Sequence, residues 1–153
     1  MFTGEVKTAI DRAVLCWLAT VDNQGQPNVS PKEIFCAPSE TELMIAEIAS
    51  PVSHRNIGQN SKVCVSFVDV FRQKGYKVYG DARLIAADTP EYDDRAAPLI
   101  AMAGPNFKVR SIILVDAIRV SPIVAPSYTK FPDTSEAQKI KEAFKTYGVR
   151  AVD

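Results

Sequence analysis

The chain has 153 residues, 46% of them hydrophobic, and its 18 Lys and Arg balance 18 Asp and Glu, for a formal net charge of zero. That length fits one domain, residues 1–153, which buries about 70% of its extended surface without a disulfide or metal. A balanced charge provides no field to draw in nucleic acid or an anionic membrane, so both are set aside as partners.

Cys16, Cys36 and Cys64 are an odd number of cysteines, none near another. This fits neither a disulfide framework nor a zinc site, and each lies in an apolar run as a buried free thiol would. No apolar run nears the ~18 residues of a membrane span, and the charged N-terminus lacks a signal core. The expected location is the cytoplasm.

Phe2 to Ala13 has the spacing of a short amphipathic helix, with Val6 and Ile10 on the apolar side. LCWLATV (15–21) reads as a strand buried on both faces, Asp22 to Gly25 as a turn, and Asn28 to Cys36 as the return strand. A turn at Pro38 to Glu40 leads to another strand at Leu43 to Ala46. Ser50-Pro51 then starts a helix, because Ser is a favoured cap and Pro a favoured first helical residue. KVCVSFVDV (62–70) alternates like a strand, and Tyr76 to Ala86 is the next, with Gly80 marking a bulge or close backbone approach. Thr89-Pro90 opens a helix to about Met102, and RSIILVDAIRV (110–120) is a long strand. Proline-rich SPIVAPSYTKFP (121–132) reads as extended. A last helix capped by Asp133-Thr134 carries a stripe of Ala137, Ile140, Phe144 and Tyr147, ending at Gly148. The expectation is a mainly β, α+β fold: a six-stranded antiparallel barrel with flanking helices over 1–122, then an extended segment and helix over 123–153.

Chemistry concentrates in two segments. The N-terminus of the Ser50 helix offers unpaired N–H groups and a positive dipole end, a ready anion site. Ser50, Ser53, His54 (the sole histidine) and Arg55 cluster there. The alternative is a plain capped helix whose His54 and Arg55 face water. In the second segment Pro31 removes one ladder bond and opens the sheet, placing Ser30, Lys32 and Glu33 beside a surface for a planar ligand. A solvated edge strand guarded by Pro31 and Lys32 is the alternative there. The sequence has no dinucleotide-binding glycine motif, P-loop, zinc-protease helix or nucleophile elbow. The Asp93-Asp94 pair reads as solvated helix surface, and no metal site is expected.

Cys16 to Val21 with Asp22 to Gly25 and Pro27, Ser53 to Ile57 followed by Lys62 to Val65, and Tyr79 to Ala82 occur in an order that resembles the pyridoxamine 5′-phosphate oxidase-like family of FMN-binding split barrels. The resemblance covers residues 1–120 or so. It implies a homodimer with FMN at the subunit interface. Ser50, Ser53, His54 and Arg55 would hold the phosphate; Ser30, Pro31, Lys32 and Glu33 would run along the ring system; Gln73 and Lys74 would close the pocket. Ser53 stands where the family often has lysine. The C-terminal tryptophan and arginine segment that pyridoxamine phosphate oxidases use on their substrate has no counterpart, which speaks against making pyridoxal phosphate. The implied function is an FMN-dependent oxidoreductase that takes electrons from NAD(P)H and acts on a small molecule. A non-catalytic flavin-binding or stress-related protein, and a split barrel holding F420 or haem, remain the alternatives.

Overall fold

The computed structural model describes residues 1–152. Helix α1 (Gly4–Arg12) is capped by Thr3, whose hydroxyl accepts the Val6 N–H, and buries Val6 and Ile10. Strands β1 (Cys16–Val21) and β2 (Pro27–Lys32) form a hairpin in register Cys16 to Lys32 and Val21 to Pro27. Its turn is held by Asp22 Oδ1, which accepts the N–H groups of Gln24 at 2.8 Å and Gln26 at 2.9 Å. Gly25 supplies the left-handed residue, at φ +85°.

The expected return strand Asn28 to Cys36 is broken after Lys32. Its end is a separate two-residue strand, β3 (Phe35–Cys36), which pairs with β4 (Glu42–Glu47). Strands β5 (Lys62–Asp69), β6 (Lys74–Ala86) and β7 (Ser111–Val124) complete one antiparallel sheet in the order β2-β1-β5-β6-β7-β4-β3. The count is therefore seven strands where the sequence suggests six. β2 and β3 stand at opposite edges of that order, yet only Glu33 and Ile34 join them. Such a link spans at most about 10–11 Å. The sheet therefore curls until its edges meet, forming a split barrel.

Inward side chains fill the barrel: Cys16 and Leu18 from β1, Val63, Val65 and Phe67 from β5, Val78 from β6, Ile113 and Val115 from β7. Phe2, Val6 and Ile10 of the N-terminal segment close one end. A second cluster forms on the outside of β4 and β7, where Met44, Ala46, Ile112 and Leu114 meet Tyr92 and Leu99. Those two residues come from α3 (Pro90–Arg95) and α4 (Ala97–Ala103). The single helix expected from Thr89 to Met102 is thus two, because Pro98 has no N–H to continue the ladder.

β6 and β7 change register between Tyr79 and Gly80, so Ile118 has no partner across the pair. A Cβ on Gly80 would press on the Asp116 carbonyl oxygen and lie 2.8 Å from Val115 Cγ1. Among the described residues no helix covers the outer face of β1, β5 and the far half of β7: Trp17 is 46% and Ile118 57% exposed. There Arg119 lies over the Tyr79 ring at 3.8 Å.

After β7, which takes the first residues of the proline-rich stretch, Ser127–Lys130 coil into α5 rather than staying extended. Helix α6 (Glu136–Tyr147) is capped by Ser135, two residues later than Asp133, in a box with Gln138. Its buried stripe is also rotated from the expected one. Lys139 and Ala143 are buried and Ala137 is exposed. Lys139 tolerates burial because its Nζ donates to the carbonyls of Phe131 at 3.1 Å and Thr134 at 2.8 Å. α6 docks on the β5–β6 turn, with the Phe144 ring edge-on to Phe71 at 4.8 Å.

Candidate functional site

Helix α2 (Pro51–Gln59) follows β4, with Ser50 at its N-cap and Pro51 as first residue. The Ser50 hydroxyl does not cap the helix. It donates instead to Glu47 Oε1 at 3.3 Å, which also accepts the Ser50 N–H at 2.8 Å. The same hydroxyl accepts a short hydrogen bond from Lys32 Nζ. The helix's own ladder begins with the His54 N–H on the Ser50 carbonyl at 3.0 Å. The N–H groups of Val52 and Ser53 precede that bond and point out of the helix end.

This end faces the free edge of β2. Asn28, Ser30 and Pro31 on the strand and Ser50, Val52 and Ser53 on the helix line a groove of about 230 Å³. Two inward-facing groups lie behind it. Lys32 is only 8% exposed and Glu47 only 5%. Burial pushes the Lys32 ammonium pKa down, against the upward pull of Glu47 and Cys16. The neighbouring Cys16 thiol, fully buried, is pushed up to about 12 by desolvation, with Lys32 opposing.

Ser53 is wholly buried, and its Oγ accepts from Asn28 Nδ2 at 3.4 Å. Thr20 Oγ1 accepts from Asn56 Nδ2 at 3.1 Å, while Asn56 Oδ1 has no partner. Reading the sequence picks out neither Glu47 nor Asn28. The hairpin register carries the signal for Asn28, since it sits opposite inward Thr20.

The structure brings Ser30, Pro31, Ser50 and Ser53 to the groove, with Lys32 immediately behind. Glu33 follows the end of β2 and is exposed; His54 and Arg55 are exposed and do not line the groove. Gln73 and Lys74 lie at the β5–β6 turn, with β1 and β5 between β2 and β6. Lys74 lines a second, larger groove of about 900 Å³ between α1 and that turn. Trp17 is on its wall and sits directly opposite Pro31 across the β1–β2 pair. The two grooves therefore flank one cross-strand pair.

The family model described as pyridoxamine 5′-phosphate oxidase matches residues 2–123, the barrel and its helices. The chain belongs to that family. Among curated proteins none matches the sequence. Among solved structures, HupZ of Group A Streptococcus is 27% identical with TM-score 0.68, over 82% of this chain and 99% of that one. An FMN-binding protein from Syntrophomonas wolfei is 16% identical with TM-score 0.66, over 78% and 84%. A protein described as F420 reductase is 22% identical with TM-score 0.58, over 78% and 98%. At those identities the last two show the shared fold.

A flavin of the kind this oxidase family implies fits the residues at the helix end. The donor set suits a phosphate: two N–H groups outside the helical ladder at the helix's positive end, backed by a buried lysine on the Ser50 hydroxyl. Glu47 is the one carboxylate in this network, and Lys32 offsets its charge.

Among the described residues no helix is long and apolar enough to cross a membrane.

Proposed function

We propose that the protein is an FMN-dependent oxidoreductase, active as a homodimer in the cytoplasm, where NAD(P)H reduces it and a small molecule is the second reactant. The reading rests on the N–H groups of the α2 end that lie outside its ladder, with buried Lys32 behind them, in a chain of this family. The bound flavin supplies the redox chemistry.

The chain's own residues bind and orient. The N–H groups of Val52 and Ser53 hold the phosphate, gaining from the helix dipole. Lys32, bonded to Ser50, offsets Glu47, so that the phosphate does not face an uncompensated carboxylate. Pro31 lacks an N–H, so the β2 edge beside it offers a surface free of one donor against which a flat ring can lie. Ser30 and Glu33 flank that surface. Gln73 and Lys74 reach the ring from the second subunit. Arg55 contributes only a diffuse positive field from the exposed face of α2, where His54 lies beside it.

The test compares FMN with riboflavin, which lacks the phosphate. Lys32→Ala should weaken FMN about tenfold to a hundredfold, because Glu47 then faces the phosphate without its cation. Riboflavin should change little, and Arg55→Ala should change FMN by less than about threefold. Equal losses for both flavins in Lys32→Ala would remove the phosphate assignment. A purified protein carrying F420 or haem by its absorption spectrum would replace FMN outright. Oxidation of NADH or NADPH with an added acceptor separates an enzyme from a flavin store.

A further inference from the structure

The turn between β5 and β6, Val70 to Gln73, ends in a costly backbone conformation. Gln73 has φ +56°, and among the described residues it is the only non-glycine with a positive φ. Glycine or asparagine takes up that conformation readily, whereas a longer side chain crowds its own backbone. Gln73 is exposed, so no packing of its side chain offsets the strain. A strained residue persists only where its surroundings over-determine it, and these residues gather at functional sites.

The turn is fixed from two sides. From within, Asp69 Oδ1 accepts the N–H groups of Phe71 and Arg72 at 3.0 Å each, and the Asp69 carbonyl accepts the Gln73 N–H at 2.7 Å. From outside, the C-terminal segment takes the next two carbonyls. The Tyr128 hydroxyl donates to that of Arg72 at 2.7 Å, and the Ala125 N–H to that of Gln73 at 3.0 Å.

The side chains of the turn are tied to the same segment. Glu136 pairs with both Arg72 and Lys74 at 2.8 Å, Lys74 lies 4.1 Å above the Tyr128 ring, and Phe71 packs on Phe144. Lys139, bonded to the Phe131 and Thr134 carbonyls, lies 5.0 Å from the same Tyr128 ring and fixes its place. All these partners lie beyond residue 123, where the family match ends. A strap from outside the shared barrel therefore crosses the turn.

We propose that Tyr128 and Glu136 are positioning residues: through them the C-terminal strap holds Gln73 and Lys74 in the conformation that reaches the flavin ring of the other subunit. The proposal rests on the flavin reading, which gives Gln73 and Lys74 to that ring, and adds to it residues outside the barrel. Tyr128 sets the backbone through the Arg72 carbonyl, next to the left-handed residue. Glu136 sets the Lys74 ammonium, which has a long side chain and many rotamers to lose. Both act through Gln73 and Lys74 and not on the ring itself.

Tyr128→Phe keeps the ring under Lys74 and removes one donor, and Glu136→Gln keeps the shape and removes the anion. Each should weaken FMN and riboflavin by the same factor, about threefold to tenfold, because the ring and not the phosphate is affected. In flavin-free protein the Gln73 amide should exchange with deuterium faster in Tyr128→Phe than in wild type. Gln73→Gly supplies a readout that a purely structural strap would not move. Glycine adopts the left-handed conformation without strain, so this variant should melt no lower than wild type and still bind both flavins more weakly. Adding Tyr128→Phe to it should weaken them further by less than about twofold, because the side chain that Tyr128 positions is gone.

Losses that multiply in full in the double variant would overturn the positioning role. So would wild-type affinity for both flavins in Tyr128→Phe and Glu136→Gln; if Glu136→Gln fails to fold, Tyr128→Phe alone decides. Unchanged exchange at Gln73 in Tyr128→Phe ends the strap and leaves the flavin reading standing. A wild type that binds neither flavin ends the flavin reading itself, and the positioning role with it.

Discussion

Lys32 and Arg55 illustrate what one residue's neighbours decide. Both are cations that the sequence offers to this site, Arg55 within the helix itself and Lys32 eighteen residues before Ser50. Only the register of the β1–β2 hairpin separates them, because Lys32 pairs with Cys16 and so shares its inward face. The burial that lowers the Lys32 pKa raises that of Cys16, and the second shift has a consequence for stability. The Cys16 thiol has a folded pKa of about 12 against 9.0 unfolded. Its stabilising contribution is complete below pH 9 and is lost as pH climbs towards 12, because the unfolded chain releases the proton first. At 1.36 kcal/mol per unit the loss reaches about 4 kcal/mol. Lys32 acts with the opposite sign, gaining stability as pH rises towards its unfolded pKa. A comparison of wild type with Cys16→Val by denaturant unfolding from pH 8 to 11 isolates the thiol, and the variant should show the shallower alkaline decline. Parallel curves would mean that Cys16 is not the titrating group.

Among the elements, the most legible feature is the β6 strand. A glycine within a run of β-forming residues signals a bulge or a close approach, and Gly80 has both. Gly80→Ala should destabilise by about 1–3 kcal/mol, the usual cost of forcing atoms into filled space, read as a lower urea midpoint at constant slope. Other element boundaries were hidden. Nothing in Pro31 to Cys36 reads as a turn, for it contains no glycine or asparagine, so the break at Glu33–Ile34 follows from tertiary closure of the barrel. The α6 stripe is displaced because lysine counts as polar in any periodicity, while Lys139 finds two carbonyls to satisfy its ammonium. In the site, helix start and opened strand were readable from Ser50-Pro51 and Pro31. The joining of the two through Glu47 and Lys32 was not, since it depends on which way each side chain faces. The Phe71 contact predicts a coupled effect: Phe144→Ala should cost about 1–3 kcal/mol and raise proteolysis near Arg72.

On the scale of the whole molecule, the uncovered outer face of β1, β5 and β7 supports the proposed homodimer. Trp17, Val29 and Ile118 are all about half exposed or more. Interfaces of stable obligate dimers bury about 2,000 Å² or more in total. Ile118→Glu should therefore shift sedimentation at micromolar concentration towards the monomer without lowering the monomer's own helix and strand signal. A wild type already monomeric at that concentration would end the dimer proposal.

The strand order also sets a timetable. β4 pairs with β3 and β7, and β7 begins at Ser111, more than sixty residues after β4 ends at Glu47. At ribosomal rates of about 5–20 residues per second, the apolar segment ELMIAE waits several seconds with its main partner unmade. Its five buried residues, Leu43 to Glu47, have no finished barrel to enter until then. Nascent chains arrested before Ser111 should be captured by holding chaperones and cut quickly by protease. Chains arrested once β7 has cleared the exit tunnel should resist both, so the last strand of the sheet acts as the release signal for the first half of the barrel.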